Sequence, residues 1–111
     1  MTDDANMDDD VLIEAMTPLG FRVRVGRSYW QLIVTLKHPV MAGRELDVRR
    51  TLEEPDEIRL SRRDSTVYLF YRSEHGNRWV CAVAKRLEAE GFLVTTYPTD
   101  VIKEGTRVWP K

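Results

Sequence analysis

Five side chains in the C-terminal half of the chain make a set suited to a phosphodiester: Tyr68, Arg72, Lys85, Thr95 and Tyr97. Arg and Lys hold a phosphate and stabilise charge growing on it, and aromatic rings offer stacking surfaces to bases. The set contains two cations, two phenols and a hydroxyl, and no carboxylate. Half-exposed strands often carry these residue types, so an ordinary solvated sheet face explains them as well. His38 is a second centre. An imidazole there can transfer a proton or touch a phosphate; it can equally close a helix C-terminus, where the dipole favours a cation.

Other chemistries find less support. No His, Cys or carboxylate cluster has metal-ligand spacing, so neither a metal nor another cofactor is expected. Cys81 is the single cysteine, which excludes an intrachain disulfide, and its apolar surroundings read as core. His75 precedes Gly76-Asn77 and reads as a turn residue. Arg62-Arg63 suits nucleic acid or a solvated hairpin. There is no Gly-rich phosphate loop.

These residues reach one surface only if strands position them. After Pro55 the pattern predicts four strands, at about 57–62, 67–72, 79–86 and 92–97, joined by short turns as an antiparallel meander. Placing the smoother apolar sets (Val67, Leu69, Tyr71; Val80, Ala82, Ala84; Phe92, Val94, Thr96) under helices leaves the five candidates on the other face. Before Pro55, Asp10 can cap a short helical turn through Val11, Leu12 and Ala15. Phe21, Val23 and Val25 alternate with Arg22 and Arg24 as a strand. A helix is expected over Ser28–His38, from a Ser28–Gln31 capping box to Pro39, although Ile33-Val34-Thr35 is β-branched. A second helix is expected over Val40–Glu54, with Met41, Val48 and Leu52 inward and Arg44, Asp47, Arg50 and Glu53 in solvent. The expected fold is α+β: an N-terminal strand and two helices packed on a four-stranded antiparallel meander.

Composition sets the frame. The 111 residues are 42% hydrophobic and 32% charged, room for one folded domain. The net charge of −1 divides unevenly. Residues 1–14 hold six acidic and no basic side chains (−6), leaving 17 basic against 12 acidic over 15–111 (+5). An acidic, mobile arm (1–14) on a mildly basic domain (15–111) is the expectation. No apolar run approaches the roughly 20 residues that span a bilayer, so no membrane role is expected. The acidic start is unlike a signal peptide, which points to the cytoplasm.

An ordered series of segments then carries a likeness: Lys37-His38-Pro39, Pro55-Asp56-Glu57-Ile58-Arg59, Val67-Tyr68-Leu69-Phe70-Tyr71-Arg72, Gly91-Phe92-Leu93-Val94-Thr95-Thr96-Tyr97 and Pro98–Gly105. Across roughly residues 21–109 the chain resembles a phage-associated and bacterial group placed with the barnase–EndoU–colicin–RelE-like nucleases. The resemblance implies helices followed by a four-stranded antiparallel sheet, and metal-independent RNA cleavage by a ribose 2′-hydroxyl. It points to His38, Arg72, Lys85, Thr95, Tyr97 and Thr99, with Lys103 as a further substrate contact; Tyr68 joins these contacts from its place on the candidate face. Arg72 and Lys85 would meet the phosphate, His38 or Tyr97 would transfer protons, and Thr95 and Thr99 would orient the substrate. Lys103 lies in a matching motif and can equally end a helical turn opened by Asp100. The implied partners are RNA and, for a toxin, an antitoxin or immunity protein. The alternatives are a noncatalytic module that keeps the fold and binds protein or nucleic acid, and a structural domain that dimerises through Trp79 and Trp109.

Overall fold

Alternating burial decides the first element. Ile13 and Ala15 are buried while Val11, Glu14 and Met16 are exposed, and the segment pairs antiparallel with residues 22–26. It is strand β1 (Val11–Met16), not the helical turn expected from an Asp10 cap. The computed structural model describes residues 10–102 and 104–111. Strand β2 (Arg22–Gly26) follows a tight turn and buries Val23 and Val25.

The helical region is more broken than its spacing suggests. Helix α1 (Arg27–Leu32) starts from the extended backbone of Gly26, which places Ser28 inside the first turn and not at the cap. Three consecutive β-branched residues crowd an α-helical turn, and beyond Leu32 the chain widens into a π-helical turn, Ile33–Lys37. Pro39–Met41 is a 3-10 turn, and Gly43 adopts a left-handed φ of 83° before helix α2 (Glu45–Glu53). The single helix expected from Val40 is therefore interrupted. Val48 and Leu52 are buried as the stripe requires. Arg44 does not point into open solvent: it bonds Asp47 at 2.9 Å and Glu74 at 2.6 Å, pinning the start of α2 to the sheet.

The chain is α+β, with one mixed seven-stranded sheet in the order β1-β2-β6-β5-β4-β3-β7. Strands β3 (Glu57–Leu60), β4 (Val67–Glu74), β5 (Arg78–Leu87) and β6 (Glu90–Thr99) pair antiparallel in succession. The sheet is larger than the expected four strands. β2 adds to β6 in parallel, β1 adds outside β2, and β7 (Thr106–Trp109) adds outside β3. Gly105 makes the last addition possible: its φ is 86°, and a Cβ there would lie 2.7 Å from the Leu60 carbonyl oxygen.

Two apolar clusters settle which side chains share a face. On the helix side, Trp30, Ile33, Val48 and Leu52 meet Phe70, Val80, Ala82 and Ala84. On the other side Leu69, Tyr71 and Cys81 are buried, with Trp79, Val83, Tyr97 and Ile102 packed on them. The phase of β4 is thus the reverse of the one expected: Tyr68 and Phe70 lie under the helices, and Leu69 and Tyr71 face away. The smoothness criterion fails because both faces of β4 are covered, so Leu69, Phe70 and Tyr71 are all buried. In β6 a bulge changes the phase mid-strand. Thr95 opposes Val83 and Leu93 opposes Ala84, with Val94 between them unmatched. Leu93 therefore points inward, and Phe92, expected under the helices, stands opposite Lys85 and is exposed. Trp79 and Trp109 are half-buried against these clusters.

Candidate functional site at the open edge of strand β6

β2 pairs with β6 only from Glu90 to Phe92, so among the described residues the rest of that edge of β6 has no strand partner. An open edge presents unpaired backbone groups, and here the helical segment approaches it. The bulge carbonyl of Val94 accepts a hydrogen bond from the Tyr29 hydroxyl at 2.7 Å, and the Lys37 ammonium lies 3.4 Å away. Lys37 also stands 5.6 Å from the centre of the Tyr29 ring. Among the described residues, no carboxylate pairs with Lys37.

His38 comes next, delivered by the π turn. Its N–H donates to the Ile33 carbonyl at 2.8 Å, an i to i+5 bond, and its backbone then leaves helical conformation. Single π turns of this kind recur at functional sites. The imidazole passes the edge of β6 and sits 5.3 Å from the Tyr97 ring, with the planes inclined at 42°. Tyr97 opposes Cys81 on β5, and Cys81 opposes Tyr71 on β4. Three polar atoms thus line up across three strands.

Burial dominates the electrostatics of this row. It pushes the Cys81 thiol up to about 12, against the pull of hydrogen bonds from Tyr97 and Tyr71. Burial also raises both phenols well above their ordinary range, assisted by Cys81 and, more weakly, by the Glu104 carboxylate. At neutral pH Tyr71 and Tyr97 are therefore hydroxyl donors, and Cys81 is a protonated thiol without nucleophilic character. Tyr71, Tyr97, Thr99, Val101 and Glu104 line a pocket of about 190 Å³. The Thr99 hydroxyl closes a local turn, donating to the Val101 carbonyl at 3.1 Å.

The other candidates lie elsewhere. Arg72 opposes Val80, on the helix side, where it donates to the Glu54 carbonyl at 2.7 Å and lies 3.8 Å from the Glu54 carboxylate. Tyr68 packs on Phe21, with ring centres 5.5 Å apart. Both were expected on the free face, and the reversed phase of β4 moves them. Lys85 is on the free face, but four residues along β5 from Cys81, roughly 13 Å at strand rise, and it contacts Asp64 at 3.4 Å. The Asp64 carboxyl is lowered chiefly by the Thr66 hydroxyl and amide, with Lys85 adding to the effect. Thr95 shares that face; its hydroxyl oxygen is buried without a partner among the described residues. Lys103 lies outside the described residues.

The structure therefore sets His38 beside Tyr97, which lines a pocket with Thr99, keeps Lys85 and Thr95 farther along the same face, and separates Arg72 and Tyr68 from them. Sequence reasoning missed Tyr29, Lys37 and Tyr71. Lys37 was signalled by its place beside His38, and Tyr71 by the strand phase; nothing in the local sequence marks Tyr29. Among the described residues, no group of three or more His, Cys, Asp and Glu is placed to hold a metal ion, and no helix is long and apolar enough to cross a membrane. No family model matches the sequence, and comparisons with curated proteins and with solved structures return no match.

Proposed function

We propose that this chain is a small ribonuclease-like domain of the barnase–EndoU–colicin–RelE type, working at the open edge of β6. The observation that carries this reading is the imidazole of His38 set 5.3 Å from the phenol ring of Tyr97, beside a solvent-facing pocket. The succession of a helical region and the antiparallel strands β3 to β6 supports the family likeness.

In the proposed reaction His38 accepts the proton of a ribose 2′-hydroxyl, and the oxygen bonds to the adjacent phosphorus. The bond from phosphorus to the 5′ oxygen breaks, leaving a cyclic phosphate. The imidazolium returns its proton to the departing 5′ oxygen. Tyr97, kept protonated by burial, donates a hydrogen bond to a nonbridging phosphate oxygen. Lys37, 3.4 Å from the Val94 carbonyl, takes the electrostatic part assigned from sequence to Arg72. Lys85 serves a phosphate farther along the face. An RNA-cutting toxin would need an antitoxin or immunity protein to restrain it.

A second reading, a noncatalytic module binding RNA or protein through the same face, is favoured by one observation: Arg72 and Lys85 already hold partners, in Glu54 and Asp64. Incubation of the protein with RNA between pH 5 and 8, with and without EDTA, separates the two. The nuclease reading expects cyclic-phosphate ends, indifference to EDTA and a rate lowered about a hundredfold or more in His38→Ala. Intact RNA at every pH, or equal cleavage by His38→Ala, would refute it.

A further inference from the structure

Where β2 leaves β6, the sheet opens into a notch of about 320 Å³ lined by Arg24, Val25, Gly26, Tyr29, Phe92 and Leu93. Its size falls within the range of small-ligand sites, and its walls are mostly apolar with few polar groups, as such sites require. Two aromatic rings face it. Phe92 is a large apolar side chain left 43% exposed, at a point where the bulge has turned it away from the core. Tyr29 is held rigid by its hydrogen bond to Val94. The Arg24 guanidinium lies 3.7 Å from Glu14 and 3.8 Å from Glu90, loose contacts that leave donors for another acceptor. Lys37, without a carboxylate partner among the described residues, reaches the Tyr29 ring from outside.

We infer that this notch is a nucleobase pocket: a base stacks on Phe92 and Tyr29, Arg24 donates to its carbonyl or ring nitrogen, and Lys37 meets the attached phosphate. The inference deepens the nuclease reading and rests on it for the choice of ligand. Val94, which Tyr29 grips, is three residues before Tyr97, roughly 10 Å of strand. A base held in the notch therefore belongs to the same short stretch of chain whose phosphodiester reaches His38 and Tyr97.

The test measures binding of a fluorescent single-stranded oligoribonucleotide at low salt, in a His38→Ala background so that the probe stays intact. An abasic strand of equal length and the free mononucleotides AMP and UMP form the other arms. Phe92 is a surface residue, so Phe92→Ala is expected to fold, with thermal unfolding as its control. The expected result is a preference for the base-bearing strand over the abasic one, lost about tenfold in affinity in Phe92→Ala and retained in Phe92→Trp. Mononucleotide binding as tight as the oligomer, shifting Phe92 and Tyr29 resonances, keeps the pocket and assigns it to free nucleotides. Unchanged affinity in folded Phe92→Ala, equal binding of the abasic strand, or no binding by any probe overturns the pocket. Cleavage is scored separately in the parent chain. Base-dependent binding without cleavage removes the nuclease reading and leaves the pocket; cleavage indifferent to Phe92 does the reverse.

Discussion

Cys81 is the residue whose environment speaks most plainly. It is buried with two phenol neighbours, and its thiol holds its proton to about 12, where an unfolded cysteine releases it at 9.0. A folded-state value above the unfolded one means that stability is complete below pH 9 and falls as pH rises toward 12, because the unfolded chain ionises first. Tyr71 and Tyr97, raised in the same direction from 10.0, extend the loss above pH 10. Thermal unfolding followed from pH 7 to 11 is therefore expected to show a falling Tm from about pH 9. In Cys81→Ala the decline is expected to begin nearer 10, when only the phenols remain. A Tm flat to pH 11 in the parent chain would show that these groups are not buried as described. In the proposed reaction the same chemistry confines Tyr97 to donating hydrogen bonds, since a phenol held protonated does not abstract protons, and the base is then His38.

His38 is only as well placed as the elements that carry it. The π turn projects it past the edge of β6, and the Tyr29–Val94 hydrogen bond at 2.7 Å ties helix α1 to that edge. Removing one hydroxyl in Tyr29→Phe costs about 0.5–1.5 kcal/mol, since a typical intramolecular bond contributes that much, and the domain is expected to stay folded. The imidazole should nevertheless lose its fixed position against Tyr97. NMR would then report His38 ring protons moving away from the shift imposed by the Tyr97 ring, toward their position in Tyr97→Leu. His38 resonances identical to those of the parent chain would deny Tyr29 this positioning role. The comparison also shows what the sequence could convey at this level. Aromatic, β-branched and apolar runs such as Val67–Arg72 and Trp79–Arg86 announced their strands, because those residue preferences are local properties. Their faces were less accessible. With apolar residues on both sides of β4, the phase depends on which cluster Phe70 joins, and that is a tertiary choice. The bulge at Val94 and the π turn at Ile33–Lys37 each shift a register by one residue. Those single-residue shifts turn Phe92 off the helix face and bring His38 to Tyr97, while the phase of β4 sends Arg72 to the helix side.

For the whole molecule, the charge division found in the sequence becomes more specific. Glu14 lies on β1 and contacts Arg22 at 3.3 Å and Arg24 at 3.7 Å, so its charge is spent within the sheet. Asp10, too, belongs to the folded body, its carbonyl accepting from the Arg27 amide at 2.8 Å. The excess acidity is therefore confined to residues 1–9, with Asp3, Asp4, Asp8 and Asp9, while residues 10–111 carry 17 basic against 14 acidic side chains, a net +3. A modestly positive body whose chain also carries four further carboxylates should bind a polyanion weakly, because those carboxylates repel the polyanion. Solvent-borne repulsion is screened over about 10 Å at 0.1 M salt. Removing residues 1–9 is thus expected to tighten binding of single-stranded RNA at 20 mM salt, with the gain shrinking toward nothing above about 0.3 M, where the screening length is shorter still. The deletion must stop before Asp10, because a cut at residue 14 would remove most of β1 and confound charge with stability. Fluorescence anisotropy across a salt series measures this directly. An affinity unchanged at 20 mM would mean that the acidic segment does not oppose a polyanion at this surface. A gain that persists undiminished at high salt would mean that it competes for the site by contact and not by charge alone.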